Sequence, residues 1–422
     1  MMNVRQILEN PLVSVGQLPQ WFSDMVERDA ALLREAPFPR KSDELWRFGN
    51  PAMADLDDFI PNLPYSGENA AKVAAKFQES PHAAYRIVMV NGILGFFPPE
   101  LPDGLMIETL ADYVKNDASA EEVLTSRFES LGMERAILLR SVLGGCGVVV
   151  KTKPGTQIDI PVEITHMAVG DKALIAPMTL ILPGESSRLD VLEHHISGEE
   201  TAVLALQRIH VSAGSSVSYG LFQAMGDCAK VMELGEAVLD ENSSLNFFSL
   251  HGGGRWIRQE IMCRMEGRGA DANLLSMASL NGERELDQRT YQKHSCPGAK
   301  SNLLFKNVLR DEAKSVFSGM IRVEKGAHET DAYQRNINLH LSPKVESNSM
   351  PGLEILADGV RCSHGTATAP IDPEHIFYLV SRGIDRKTAE SMIAGGFLNQ
   401  VIQLLRDKPT SPSWLPLLDV PF

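Results

Sequence analysis

The sequence predicts a mainly β protein with helical ends, and three observations carry that expectation. Between about residues 140 and 370, short segments alternate apolar and polar residues with a period of two. Turn formers separate them at close spacing: Pro154-Gly155, Gly170-Asp171, Ala213-Gly214, Gly252-Gly253-Gly254 and Asn281-Gly282. Long amphipathic helices are scarce in this stretch and appear on either side of it. A sandwich, a barrel, a propeller and a β-solenoid all fit such a pattern. The lack of a strict numerical repeat argues against a propeller and mildly against a regular solenoid.

Along the chain, "LPQWFSDMVERDAALLREAP" has helical spacing, with Phe22, Val26, Ala30 and Leu33 on one stripe. "PHAAYRIVMVNGILGFFPPELP" reads as a short strand and a turn at Asn91-Gly92. Glu121 to Leu139 reads as helix. In "TQIDIPVEITH", Ile158, Ile160, Val162 and Ile164 face one way, which predicts a strand. "LQRIHVSAGSSVSYG" repeats the pattern with Ile209 and Val211, and "RNINLHLS" with Ile337, Leu339 and Leu341. Asp372-Pro373 reads as an N-cap followed by Pro at the first helical position. Ile376, Phe377 and Val380 form that helix's stripe, and Gly383 ends it. Asp385 caps a second helix, "RKTAESMIAGG", and "FLNQVIQLLRD" makes a third. The Pro-rich tail "KPTSPSWLPLLDVPF" has no clear period. The expected division is a mainly helical region over 1–135, a β core over 136–370 and a helical unit over 371–422.

Composition narrows the function. The 422 residues are 44% hydrophobic and 22% charged, as in ordinary globular proteins. Asp and Glu number 54 against 40 Lys and Arg, a formal charge of −14 that repels phosphate backbones, so no nucleic acid is expected. The 5 cysteines are scattered, which points to a reducing compartment. Arg5 and Glu9 interrupt the first apolar residues, so no signal peptide is expected there. No apolar run approaches the ~20 residues of a membrane span. The expectation is a soluble, cytoplasmic protein.

The stretch "VRCSHGTA" places Cys362 and His364 two residues apart. On a strand they share a face, with Cα atoms roughly 7 Å apart, close enough to converge on one ion. Two ligands do not close a site, so a metal here needs others from elsewhere in the fold or from a second chain. The plain alternative is a buried Cys beside a solvated His. "KHSCPG" holds a mirrored pair, His294 and Cys296, near Lys293 and Lys300, which would favour a thiolate. "SLHGGGRW" resembles a lipase oxyanion loop, but the chain has no G-x-S-x-G, so its glycines read as a tight turn. There is no G-x-x-x-x-G-K-[ST], so the chain is not expected to hydrolyse ATP itself. Paired carboxylates such as Glu283 and Glu285 could in principle suit a glycosidase, but their spacing gives no support beyond that.

A family resemblance then covers most of the last third. "LDQRTYQKHSCPGAKSNLLFKNVLRDEAKSVFSGMIRVEKGAHETDAYQRNINLHLS", "MPGLEILADGVRCSHGTATAPIDPEHIFYLVSRGI" and "AGGFL" resemble the SufB/SufD family of iron–sulfur cluster assembly scaffolds. "ELWRF", Glu44 to Phe48, is similar to the family's E-x-W-R signature. The C-S-H-G segment and the chain length resemble the SufD side, where SufB shows H-E-A. Thr366-Ala367 departs from the more usual Ala-Thr.

The resemblance implies a right-handed parallel β-helix between helical ends. It implies a non-catalytic scaffold subunit paired with a SufB-like chain, with ATP hydrolysis in SufC-like ABC ATPases held by Ile376 to Leu405. It also implies a transient iron–sulfur cluster at the subunit interface, with no cofactor kept by this chain alone. His364 would contribute there as a ligand, with Cys362 a weaker companion. Without a SufB-like chain, a homodimer is the alternative assembly. Outside the resemblance, the competing reading is a stand-alone β-solenoid enzyme acting on polysaccharide.

Overall fold

The computed structural model describes residues 2–9, 18–61, 63, 66–75, 83–126, 128–198, 200–407 and 411–413. Alternating strands pair in two parallel sheets, and from Met178–Leu182 onward each strand hydrogen-bonds to the one two further along the chain. One sheet runs from Gly147–Thr152 to Glu346–Ile355, and the other from Tyr85–Val90 to Arg361–Pro370. The chain is thus mainly β, a parallel β-solenoid of about 8 turns between an N-terminal mixed region and C-terminal helices.

A repeat does exist, but its length drifts. Ala202 pairs with Lys230, Lys230 with Trp256, Trp256 with Glu285, Glu285 with Lys314 and Lys314 with Glu346, steps of 28, 26, 29, 29 and 32 residues. Strands stay mostly 10 residues long while the corners vary, which is why no fixed period is visible in the sequence. Stacking of inward residues holds successive turns. Val191, Tyr219, Phe247, Leu274 and Leu303 stand in one such stack, all buried.

The two ends of the solenoid differ. At the N-terminal end, antiparallel strands close both sheets: Ile93–Phe96 on Tyr85–Val90, and Leu105–Thr109 on Gly147–Thr152. Asn91 (φ +48°) and Gly92 (φ +79°) make the first hairpin turn, as expected for left-handed positions. At the C-terminal end, Glu346–Ile355 and Arg361–Pro370 each pair on one side only.

The motif Glu44–Trp46 folds as a single 3-10 turn that fastens the N-terminal region to the outside of the solenoid. Trp46 stacks on Trp256 at 6.2 Å, and its Nε1 donates to the Gly132 carbonyl. The Arg258 guanidinium lies 4.4 Å over the Trp46 ring, donates to the Leu45 carbonyl and pairs with Glu260 and Asp287.

Several expectations need correction. The strand expected from Ile158 starts only at Val162, because Pro161 lacks an N–H for the ladder; Ile158 is buried but Ile160 is exposed. Glu121 to Leu139 is not one helix: Ala120–Thr125 and Glu134–Leu143 flank a bend that includes Gly132. The two last helices are one, Arg386–Arg406, because Gly395 and Gly396 weaken a helix without ending it. Ile376 is buried, but Phe377 and Val380 are exposed. Leu339, with Ile337 and Leu341 beside it, faces outward under the Arg386–Arg406 helix, while Asn336 and Asn338 point into the lumen. The Gln20–Glu35 helix does bury Phe22, Val26, Ala30 and Leu33. Most of the Pro-rich tail lies outside the described residues. Among those described, no helix is long and apolar enough to cross a membrane.

Candidate functional site at the bare end of the solenoid

Cys362 and His364 lie on Arg361–Pro370, the last strand of its sheet. They pair in register with Ala332 and Gln334, both buried. Partners in a parallel ladder point to the same side, so Cys362 and His364 share the lumen-facing side. No further turn covers them. Cys362 is therefore half-buried, packed beside Val323, Leu353 and Val360, whereas His364 is exposed. Among the described residues the His364 ring has no hydrogen-bond or ion-pair partner. Burial pushes the Cys362 thiol up, against a hydrogen bond to Ala332 that lowers it. Deprotonation there needs a metal or a cation brought close.

The backbone of this strand has a free edge. Arg361 and Ile371 donate their N–H groups to Thr330 and His340 of the preceding turn. Donors alternate sides along a strand, so the N–H groups of His364, Thr366 and Thr368 point away from the sheet. Tyr333, one turn back, is exposed on the outer face beside Ser363.

The other candidates do not join this site. His294 is buried in the lumen against Ser301 at 2.9 Å, and burial pushes it down to about 4. Cys296 lies on a corner, its Sγ donating to the Glu266 carbonyl. Ser301, Ala332 and Cys362 are in register, so the two Cys/His pairs stand two turns, roughly 10 Å, apart and cannot share one ion. Among the described residues no group of three or more His, Cys, Asp or Glu is arranged to hold a metal ion. The glycines after His251 make a tight turn: a Cβ at Gly253 would stand 2.0 Å from the Met225 carbonyl oxygen. Glu283 is an exposed partner of Arg255. Glu285 is half-buried, and burial pushes it up to about 7.

Sequence reading missed how open the C-terminal helices are. Phe377 is 74% exposed, and Tyr378, Val380 and Met392 are exposed beside it in the same unit. A signal was present: Ile376, Phe377 and Tyr378 are consecutive, and three adjacent positions span more of a helix than one buried stripe can cover.

Fold and site together define a class: a solenoid ended by short antiparallel strands on one side that presents a ligand-type pair on a free parallel strand at the other. The SUF system FeS cluster assembly SufBD core domain matches residues 166–397. The SufD iron–sulfur cluster assembly protein of Escherichia coli is 30% identical over 226 residues, 53% of this chain and 53% of that relative. The chain therefore aligns with only about half of that relative's length. An iron–sulfur cluster assembly SufBD family protein of Synechocystis is 24% identical over 402 residues, 88% of this chain and 85% of the relative. SufD of Bacillus subtilis is 25% identical over 272 residues, 63% of this chain and 62% of the relative. The chain belongs to the SufBD family of iron–sulfur cluster assembly proteins, on its SufD side.

Proposed function

We propose that this chain is a scaffold subunit that joins a SufB-like chain at the bare end of its solenoid and brings His364 to a nascent iron–sulfur cluster. The observation that carries the reading is the exposure of His364 on a last strand whose outer edge is unpaired. An open edge is a template for a partner's strand. Cys362 is the weaker companion, because its thiol is half-buried and held protonated. The partner supplies the remaining ligands, and the cluster is cargo handed on rather than a resident cofactor. The exposed Phe377, Tyr378 and Val380 dock a SufC-like ABC ATPase, in which ATP is hydrolysed. The division at residue 370 separates the docking unit from the scaffold.

The test co-expresses this chain with a SufB-like partner and a SufC-like ATPase and measures iron and acid-labile sulfide per complex. His364→Ala is expected to lower cluster content at least fivefold with the complex intact, and Cys362→Ala to lower it less. Unchanged cluster content in His364→Ala removes the role given to the imidazole. The polysaccharide reading has no comparable support, since Glu283 is tied to Arg255.

A further inference from the structure

A cleft of about 970 Å³ lies between the Gln20–Glu35 and Glu134–Leu143 helices and the outer face of one sheet, and at Arg322 it comes within one strand of the bare end. It passes Met178, Leu206, Met262, Tyr291 and Arg322, five sheet steps or roughly 24 Å. Phe22, Met25 and Leu206 give it apolar walls.

At one end of the cleft is Arg140, only 4% exposed. Its Nη2 donates to the Cys146 carbonyl at 3.0 Å, a carbonyl that also accepts from the Met178 N–H. Its Nε is buried without a partner. Among the described residues no carboxylate pairs with it. Every other cation on the cleft has one: Arg28 pairs with Asp29, Arg208 with Glu236, and Arg322 and Lys293 with Glu324. Asp29 is itself held by Arg28 and the Ser141 hydroxyl. Cys146 does not supply the missing charge, because burial pushes its thiol up to about 11. The C-terminal turn of Arg140's own helix offers only partial negative charge. A buried guanidinium without a counter-ion is strongly unfavourable. In a chain of formal charge −14, such a residue beside an open cleft needs a ligand to explain it.

We propose that the cleft binds a small organic anion, its apolar body along Phe22, Met25 and Leu206 and its carboxylate or phosphate head on the Arg140 guanidinium. Arginine suits either head, since both accept two parallel N–H donors. This site is separate from the assembly role and stands or falls without it.

The test titrates the full chain, with 15N-labelled arginine, against sodium octanoate, octyl phosphate and octanol, following heat and the arginine Nε–H signals. One of the two anions is expected to bind saturably and shift one Nε–H signal, with octanol at least tenfold weaker. The tighter anion names the head group. Arg140→Met is expected to weaken that binding about tenfold or more, the size of a lost charge-assisted pair. No saturable binding of either anion, octanol binding as tightly as the anions, or unchanged binding in Arg140→Met each overturns the proposal. Should Arg140→Met fail to fold, the comparison of anions with octanol on the natural chain decides it.

Discussion

His195 lies in the lumen between two carboxylates, Glu193 at 2.8 Å and Glu233 at 3.1 Å, all fully buried. Tyr219 donates to the same Glu193, and His166 stands 3.8 Å from it. Burial alone would push His195 down, but the hydrogen bonds and charges of Glu193 and Glu233 outweigh it and raise the ring to about 9. Burial wins at His166, which has one distant carboxylate, and pushes it down to about 4. The two shifts act on stability in opposite directions around the ordinary histidine value of 6.5. His195 stabilises fully below 6.5, and that contribution is lost as pH rises towards 9. His166 and His294 stabilise fully above 6.5, and theirs is lost as pH falls towards 4. From these histidines, urea unfolding is expected to lose stability both above and below about pH 6.5. His195→Gln is expected to flatten the alkaline side and cost about 3 kcal/mol at neutral pH, since it leaves two buried carboxylates facing each other. An alkaline slope unchanged in that variant contradicts the charged imidazole.

The Arg386–Arg406 helix is held to the solenoid by apolar contact, by the Arg310–Glu390 pair at 3.3 Å and by the buried cation Lys306. Leu398, Val401, Ile402 and Leu405 pack on Leu275, Leu304 and Leu339. Beneath them Lys306 reaches up, its Nζ donating to the Phe397 carbonyl at 3.0 Å and to Gln400, 4.0 Å over the Phe397 ring. Burial, then the charge of Arg335, pushes that lysine down to about 8. Lys306→Ala removes both hydrogen bonds and the ring contact, at about 1 to 3 kcal/mol. The helix is then expected to open locally: limited proteolysis would cut near residues 382–386 several-fold faster, while global unfolding moves little. Equal cutting rates in the two proteins would show that apolar packing and the Arg310–Glu390 pair hold the helix without Lys306. None of this was readable beforehand. Lys306 sits in "LLFKNVL", where a lysine ordinarily marks a solvent-facing position.

The asymmetry of the two ends governs what the whole molecule can join. At the N-terminal end each sheet finishes in a short antiparallel strand of four or five residues, whereas the C-terminal end finishes in 10-residue parallel strands that leave a longer row of donors free. Thr368→Pro removes one outward N–H that the isolated chain does not use. Proline is tolerated on an edge strand in that position. The expected outcome is a melting temperature within about 2 °C of the natural chain and at least tenfold less SufB-like partner recovered on co-purification. Recovery at the natural level would place the interface elsewhere on the molecule.

Period-two patterning, turn residues and caps are local properties, so the β core, its helical flanks and the caps at Asp372 and Asp385 could be read in the chain directly. The Cys362–His364 pair was legible too, because two residues on one strand share a face whatever lies around them. Three things were decided by packing between distant segments. The solenoid, implied by the family resemblance, was hidden from periodicity by corners of unequal length; the exposure of His364 follows from the absence of another turn above it; and the Arg140 cleft exists only where helices near residues 30 and 140 meet the sheet. Sequence specifies each rung through neighbours a few residues apart, whereas which face stays open depends on what the rest of the chain leaves uncovered.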